Sequence, residues 1–155
     1  MNSVKGRYLS QDEIKKAYSN FTFKDNKDGS ITVDPIWIKA NIVSVKTPIA
    51  VIQCHKKVKD VMVAAITECA LYFDISDFKK SGGVWVPRHT LWDKTKPLSR
   101  HSWGIAIDVN VSKNCYGIKP NQPQQLIQAF KSRGFVWGGD WKTPDGMHFE
   151  IGILT

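Results

Sequence analysis

The sequence predicts an α+β fold, a small antiparallel sheet with flanking helices, from three observations. Apolar residues at helical spacing occur in a few separate segments, alternating apolar and polar residues occur in others, and turn-forming residues separate them. The 155 residues contain no internal repeat, linker or low-complexity segment. We therefore expect one domain over residues 1–155.

Three segments are predicted to be helical. Ser10 and Glu13 have the spacing of a capping box at the start of a short helix that reaches about Tyr18. The clearest helix lies within HKKVKDVMVAAITECALYF, where apolar residues follow helical spacing and lysines take the other face. A third helix is expected from about Pro123, which suits a first turn, to Gly134, a natural stop.

Short strands are predicted between and after these helices. The segment FTFKDNKDGSITV has two β-rich runs around a turn at Asp28-Gly29. A calcium loop is disfavoured there, because Lys27 stands where an oxygen ligand is needed and the closing Glu is absent. Further strands are expected around Trp85 and over residues 104–111, 135–137 and 147–154.

The composition restricts the classes of protein that the chain can belong to. The hydrophobic fraction of 42% is ordinary for a globular domain, and no run approaches the ~18 apolar residues of a membrane span. The opening MNSVKGRYLS lacks the apolar segment of a secretory signal, so we expect synthesis and folding in the cytoplasm. Cys54, Cys69 and Cys115 cannot all pair and are expected to be free thiols. The net charge of +8 favours an anionic partner: nucleic acid, a membrane surface or the bacterial cell wall.

A polar pair brackets the apolar run in SRHSWGIAID. His101 and Asp108 are seven positions apart. A straight strand would separate them by roughly 23 Å and place them on opposite faces. If the two side chains cooperate, the chain must bend between them, and Gly104 can supply that bend.

The last predicted strand, MHFEIGIL, adds a second histidine. Alternation places His148 and Glu150 on one face, and the turn before them carries Asp145 three residues ahead of His148. Two neutral imidazoles and one carboxylate form an open zinc site, at which bound water reaches a pKa of about 7. A nearby carboxylate that does not bind the metal can accept the proton of that water. Asp145 is the candidate, with Asp140 and Glu150 in reserve.

Taken singly, these residues have simpler interpretations. His101 can be a buried hydrogen-bonding histidine, Asp108 a cap and Asp145 a turn former. Their order, however, resembles a known pattern, that of the M15 zinc peptidases. The matching residues are Ser99-x-His101-x-x-Gly104-x-Ala106-x-Asp108, then Gly138-Gly139-Asp140-Trp141, then Asp145-x-x-His148-Phe149-Glu150.

The resemblance covers the chain from roughly Trp85 to its end and implies both a fold and a site. M15 peptidases include D-alanyl-D-alanine peptidases and the L-alanyl-D-glutamate endopeptidases of phage lysins, and they share a fold with the hedgehog signalling domain. By this resemblance the zinc ligands are His101, Asp108 and His148, and Asp145 is the general base. Arg88, within GGVWVPRHT, matches the arginine that holds the substrate carbonyl or carboxylate, and Ser99 matches a supporting position.

The implied function is zinc-dependent hydrolysis of peptidoglycan stem peptides by a monomer that reaches the cell wall after a membrane breach. Many D-alanyl-D-alanine peptidases have Glu where this chain has Asp145, whereas the lysin endopeptidases have Asp. An L-alanyl-D-glutamate endopeptidase is therefore predicted. The alternatives are a D-alanyl-D-alanine carboxypeptidase or dipeptidase, and a non-catalytic zinc-bearing binding module of hedgehog type.

Other chemistries fit the sequence less well. His101 with His148-x-Glu150 could imitate the triad of an Fe(II) oxygenase. Those enzymes usually place the distal histidine downstream of the carboxylate, however, and only five residues follow Glu150. A nucleic-acid binder is disfavoured because the aromatic residues are not interleaved with a basic stripe. Neither nucleic acid nor membrane insertion is expected. Cys54 beside His55 is a poor nucleophile candidate, because sequence neighbours point in different directions.

Overall fold

The structure, a computed structural model, describes residues 6–74 and 83–153. Within these two ranges the chain forms helices and short antiparallel strands, which confirms the α+β prediction. The helices are α1 (Gln11–Tyr18), α2 (Pro35–Asn41), α3 (Lys59–Tyr72) and α4 (Gln124–Lys131). The strands are β1 (Phe23–Asp25), β2 (Ile31–Val33), β3 (Ile42–Lys46), β4 (Val51–His55), β5 (Ala106–Asp108), β6 (Phe135–Trp137) and β7 (His148–Ile151).

The three predicted helices are present. The capping box of α1 is formed, because Glu13 N–H donates to Ser10 Oγ at 3.2 Å and Ser10 N–H donates to Glu13 Oε2 at 2.9 Å. The clearest predicted helix is α3, which follows a 3₁₀ turn at Lys56–Val58. In α4, Pro123 occupies the N-cap position and the helix ends shortly before Gly134. None of the helices in the described ranges is long and apolar enough to cross a lipid bilayer.

The C-terminal half is built around a three-stranded antiparallel sheet in the order β5-β7-β6. Its register sets Asp108 opposite His148 and Ala106 opposite Glu150. On the other face of β7, Phe149 stacks on Phe130 of α4 with ring centroids 4.4 Å apart. Because the apolar face of β7 packs on α4, the side chains of His148 and Glu150 lie on the opposite face of the sheet.

The N-terminal half contains one predicted hairpin and one that was not predicted. The β1–β2 hairpin around Asp28-Gly29 is present. Helix α2 and the β3–β4 hairpin are additions to the prediction. The second hairpin reaches the C-terminal half through His55, whose N–H donates to the Gly104 carbonyl at 3.0 Å.

The predicted strand around Trp85 is wrong. In the described part of this region only isolated bridges form, from Arg88 to Ser30 and from His89 to Leu98. Pro87 has no N–H, and Val86 N–H donates to the His101 carbonyl, so no ladder can develop. The strands expected over 104–111 and 147–154 are shorter than predicted, and residue 154 lies outside the described residues.

Candidate metal centre and active site

His101 is placed by a 3₁₀ turn, Arg100–Trp103, that precedes β5. Ser99 caps this turn by accepting a hydrogen bond from His101 N–H at 3.3 Å. Gly104 ends the turn in the left-handed region at φ 69°, and a Cβ there would lie 2.8 Å from His55 N. The bend that the sequence predicts at Gly104 is therefore present and needs a glycine.

This bend brings three predicted ligand residues together. His101 Nε2 and His148 Nδ1 each lie 3.2 Å from Asp108 Oδ1, and the candidate ligand atoms all lie within 4.8 Å of one another. All three residues are buried. Two ligand atoms that are each about 2.0–2.1 Å from a tetrahedral zinc are separated by roughly 3.3 Å. The two 3.2 Å separations thus have the size expected for ligands of one metal ion.

The outer ring nitrogens of both histidines face groups of the protein. His101 Nδ1 lies 2.9 Å from the Val84 carbonyl, which can only accept, so Nδ1 is the donor and Nε2 is the nitrogen that faces Asp108. His101 Nε2 is buried and makes no hydrogen bond. His148 Nε2 lies 3.7 Å from Glu150 Oε1. Two oriented imidazoles and a carboxylate are a donor set that suits zinc, so the residues present fit a metal.

The electrostatics of the cluster favour a cation. Burial raises the pKa of Asp108, but the facing His101 and His148 outweigh burial and hold the pKa well below its usual range. Burial lowers the pKa of His148, but hydrogen bonds to Asp108 and Glu150 outweigh it and raise the pKa to about 10. The cluster therefore stabilises positive charge at its centre.

Asp145 lies in the same cavity, which has a volume of about 390 Å³. Its N–H donates to the Gly138 carbonyl at 2.8 Å, and its own carbonyl accepts from His148 N–H at 3.1 Å. Its Oδ1 is buried without a hydrogen-bond partner, and burial raises the pKa of Asp145. The carboxylate is thus available for proton transfer beside the candidate ligands.

Arg88 also lines this cavity. Ser102 holds its backbone, because Arg88 N–H donates to Ser102 Oγ at 3.0 Å and the Ser102 hydroxyl donates to the Arg88 carbonyl at 2.8 Å. The guanidinium lies over the ring of Trp92, 5.1 Å from its centroid. Burial lowers the pKa of Arg88, although a guanidinium remains charged at neutral pH.

Comparison with known families agrees with this geometry. Residues 92–151 match a model of the M15 peptidases described as D-alanyl-D-alanine carboxypeptidase. The match includes all three candidate ligands and Asp145. This segment, residues 92–151, is therefore similar to the M15 peptidases. This similarity and the His101–Asp108–His148 cluster together indicate a metallopeptidase. No solved structure matches the chain.

The two reserve carboxylates, Asp140 and Glu150, lie in different surroundings. Asp140 is exposed, forms an ion pair with Lys131 Nζ at 2.6 Å and does not line the cavity. Glu150 lines the cavity, is almost fully buried and lies 3.0 Å from Arg100 Nε. Of the two, only Glu150 is close to the candidate ligands.

Cys54 and His55 do not form a nucleophilic pair. Burial raises the pKa of the Cys54 thiol to about 11, which disfavours the thiolate. His55 Nδ1 accepts from Lys57 N–H at 3.2 Å, and Nε2 faces the Tyr18 carbonyl at 3.2 Å. Both ring nitrogens are therefore engaged with backbone, and Cys54 packs as a small apolar side chain.

Three cavity residues were not found from the sequence. Arg100 donates through Nη2 to the Leu9 carbonyl at 2.6 Å and lies 4.7 Å from the ring centroid of Tyr8. Tyr8 and Trp92 line the cavity with Arg100. Sequence spacing cannot predict contacts between residues so far apart in the chain. The only sequence signal for this part of the cavity was the strand alternation that places Glu150 on the same face as His148.

Proposed function

We propose that this protein is a zinc-dependent endopeptidase of M15 type that cleaves the L-alanyl-D-glutamate bond of peptidoglycan stem peptides. The observation that carries the proposal is the buried cluster of His101, Asp108 and His148, with its two 3.2 Å separations. Asp145, three residues before His148, supports the endopeptidase subclass, because the lysin endopeptidases have Asp at this position.

In the proposed hydrolysis, each residue of the cavity has a different role. His101, Asp108 and His148 would hold the metal, which when bound polarises a carbonyl and lowers the pKa of water. Asp145 accepts a proton from the water whose oxygen adds to the amide carbon. It then delivers that proton to the leaving amine nitrogen as the carbon–nitrogen bond breaks. Arg88 donates to the carbonyl oxygen while that oxygen gains negative charge.

Mass analysis of digested peptidoglycan identifies the bond that is cleaved. We expect the full chain to leave a C-terminal L-alanine on the sugar-linked fragment and an N-terminal D-glutamate on the released peptide. Release of free D-alanine from the stem peptide would instead identify a carboxypeptidase, and hydrolysis of separately supplied D-alanyl-D-alanine to two D-alanines would identify a dipeptidase. Binding of peptidoglycan without any new terminus would favour a binding module of hedgehog type. Each of these three results contradicts the proposal.

Metal analysis tests the centre independently of the cleaved bond. Protein purified without added metal should contain about one zinc per chain, because three protein ligands form one open site. Removal by a chelator should abolish hydrolysis, and added zinc should restore it. His148→Ala should lower the zinc content, with His55→Ala as a buried histidine control outside the cluster. Stoichiometric iron, or hydrolysis that survives complete metal removal, contradicts the assignment.

We also propose that the enzyme acts as a monomer, is made in the cytoplasm and reaches the cell wall after a membrane breach. The net charge of +8 supports attraction to the acidic polymers of the wall. Size-exclusion chromatography with light scattering tests the monomer, and fractionation of expressing cells before and after membrane permeabilisation tests the site of action.

A further inference from the structure

The turn that carries Trp92 has an unusual backbone. Leu91 and Trp92 have φ values of 55° and 57°, both in the left-handed region. Bulky residues rarely adopt this conformation, and two in succession are rarer still. Such backbone strain persists only where the surrounding structure imposes it, and it is commonly found where a side chain is held for function.

Neighbouring backbone imposes this conformation. His89 N–H donates to the Gly29 carbonyl at 3.0 Å, and Trp92 N–H donates to the His89 carbonyl at 3.1 Å. Gly29, in the β1–β2 turn, approaches so closely that a Cβ there would lie 2.0 Å from the Trp92 carbonyl oxygen. The hairpin therefore presses directly against the strained turn, and only glycine leaves room for it.

The strained turn sets the Trp92 ring against the Arg88 guanidinium. The guanidinium carbon lies 5.1 Å from the ring centroid. Arg88 Nε is buried without a hydrogen-bond partner, and no carboxylate among residues 6–74 and 83–153 forms an ion pair with Arg88. Ser102 fixes the backbone of Arg88 but not its side chain. The Asp108 and Asp145 charges act on Arg88 without forming an ion pair, so the aromatic ring is the group in direct contact with the guanidinium that can restrain its direction.

We propose that Trp92 is a positioning residue, which holds the Arg88 guanidinium so that its N–H fork points at the substrate. Contact with an aromatic face uses the plane of the guanidinium and leaves its in-plane N–H donors unoccupied. A carboxylate partner would instead occupy those donors. This inference rests on the role proposed above for Arg88, and it assigns to Trp92 a function that acts through Arg88.

A double-mutant cycle tests whether Trp92 acts through Arg88. Trp92→Ala should lower kcat/KM by roughly 2- to 30-fold, the range of a cation–π contact, and Trp92→Phe should recover most of that loss. In an Arg88→Ala background, Trp92→Ala should have no further effect. Tyr72→Ala removes an exposed aromatic ring at the end of α3, outside the cavity, and should leave kcat/KM unchanged.

The cycle has two contrary outcomes. Additive losses would show that Trp92 contacts the substrate itself, and unchanged kinetics in Trp92→Ala would remove it from the site. Either result overturns the inference. Circular dichroism and zinc content of each variant separate these effects from a loss of fold.

An NMR measurement tests the contact without any reaction. The Arg88 Nε–H signal of the full chain should be shifted upfield by the ring and have a high order parameter, and both properties should be lost in Trp92→Ala. An unaltered Arg88 signal in that variant contradicts the inference even if hydrolysis occurs. If the protein fails to cleave peptidoglycan, the proposed function fails, while the NMR result still decides whether Trp92 restrains Arg88.

Discussion

At the scale of single residues, one substitution of Asp145 can separate its role in proton transfer from metal binding. Its backbone contacts to Gly138 and His148 do not depend on the carboxylate. Asp145→Asn should therefore retain about one zinc per chain, because it removes no metal ligand. Its kcat should fall by at least ~10²-fold, because it removes the proton acceptor. Zinc content and single-turnover hydrolysis of a stem peptide measure the two effects separately.

Asp108→Asn is the matched control, since it changes a carboxylate that lies 3.2 Å from both histidines and should lower zinc content instead. If Asp145→Asn loses the metal while Asp108→Asn keeps it, the two roles are exchanged. Near-normal turnover in Asp145→Asn would move the search for the base to Glu150, because Asp140 is engaged with Lys131 outside the cavity.

Residue types predicted the convergence of this cluster, but not all of its surroundings. The pairing of His101 with Asp108 required a bend, and a glycine stood between them to provide it. The contact between Arg100 and the Leu9 carbonyl joins residues 91 positions apart. The ring contact of Trp92 with Arg88 depends on two left-handed residues that carry no glycine signal. Contacts of these kinds arise from tertiary packing and leave no local pattern in the chain.

At the scale of elements, prediction succeeded where the chain marks its own boundaries. Helix α1 has a capping box, the β1–β2 hairpin has Asp-Gly, and α4 follows a proline. Helix α2 and strand β3 were missed because the helix ends at Asn41 and the strand begins at Ile42, with no turn residue between them. The strand predicted around Trp85 does not form, because Pro87 has no N–H to contribute to a ladder.

His89 connects two of these elements and makes stability depend on pH. Its Nε2 lies 2.7 Å from Asp25 Oδ1 in β1, and its Nδ1 lies 2.7 Å from the Lys96 carbonyl. Both partners are acceptors, so the arrangement favours the doubly protonated ring. Burial lowers the pKa of His89, but these two hydrogen bonds and the nearby Asp25 and Asp93 charges outweigh it, so the pKa is raised.

A histidine with a raised folded pKa stabilises the fold fully below its unfolded pKa of about 6.5 and loses that contribution as pH rises through the folded value. Asp25→Asn should therefore reduce the free energy of unfolding more at about pH 5.5 than at about pH 9. Urea titrations at the two pH values measure this difference. Asp12→Asn, an aspartate of the first turn of α1, is the control. An equal loss at both pH values would show that His89 is not charged in the folded protein.

At the scale of the whole molecule, the candidate metal centre depends on residues outside the matched segment 92–151. The carbonyl that orients His101 belongs to Val84, and the group that closes the bend at Gly104 is His55 N–H. The apolar core likewise joins α3 with α4 and β7, through buried residues such as Met62, Ile66, Phe130 and Phe149. The segment therefore lacks both its supporting hydrogen bonds and half of its core.

A fragment of residues 92–151 should remain unfolded and bind less than one zinc per chain under conditions in which residues 1–155 fold and bind one. Chemical-shift dispersion in a proton NMR spectrum and zinc analysis of both proteins measure this. A dispersed spectrum and stoichiometric zinc in the fragment would show that the N-terminal half is dispensable for the centre.

The position of Tyr8 determines where an added module would be delivered. Tyr8 lines the cavity, and hydrogen bonds hold the backbone on either side of it. Arg100 donates to the Leu9 carbonyl, and Arg7 N–H donates to the Gly152 carbonyl at 2.8 Å. A wall-binding domain fused through the N-terminus would thus be tethered beside the cavity mouth. With a short flexible linker its effective concentration at the substrate is in the millimolar range and falls as the linker lengthens. Avidity for the wall can then be tuned by linker length alone, without altering any residue that touches the stem peptide.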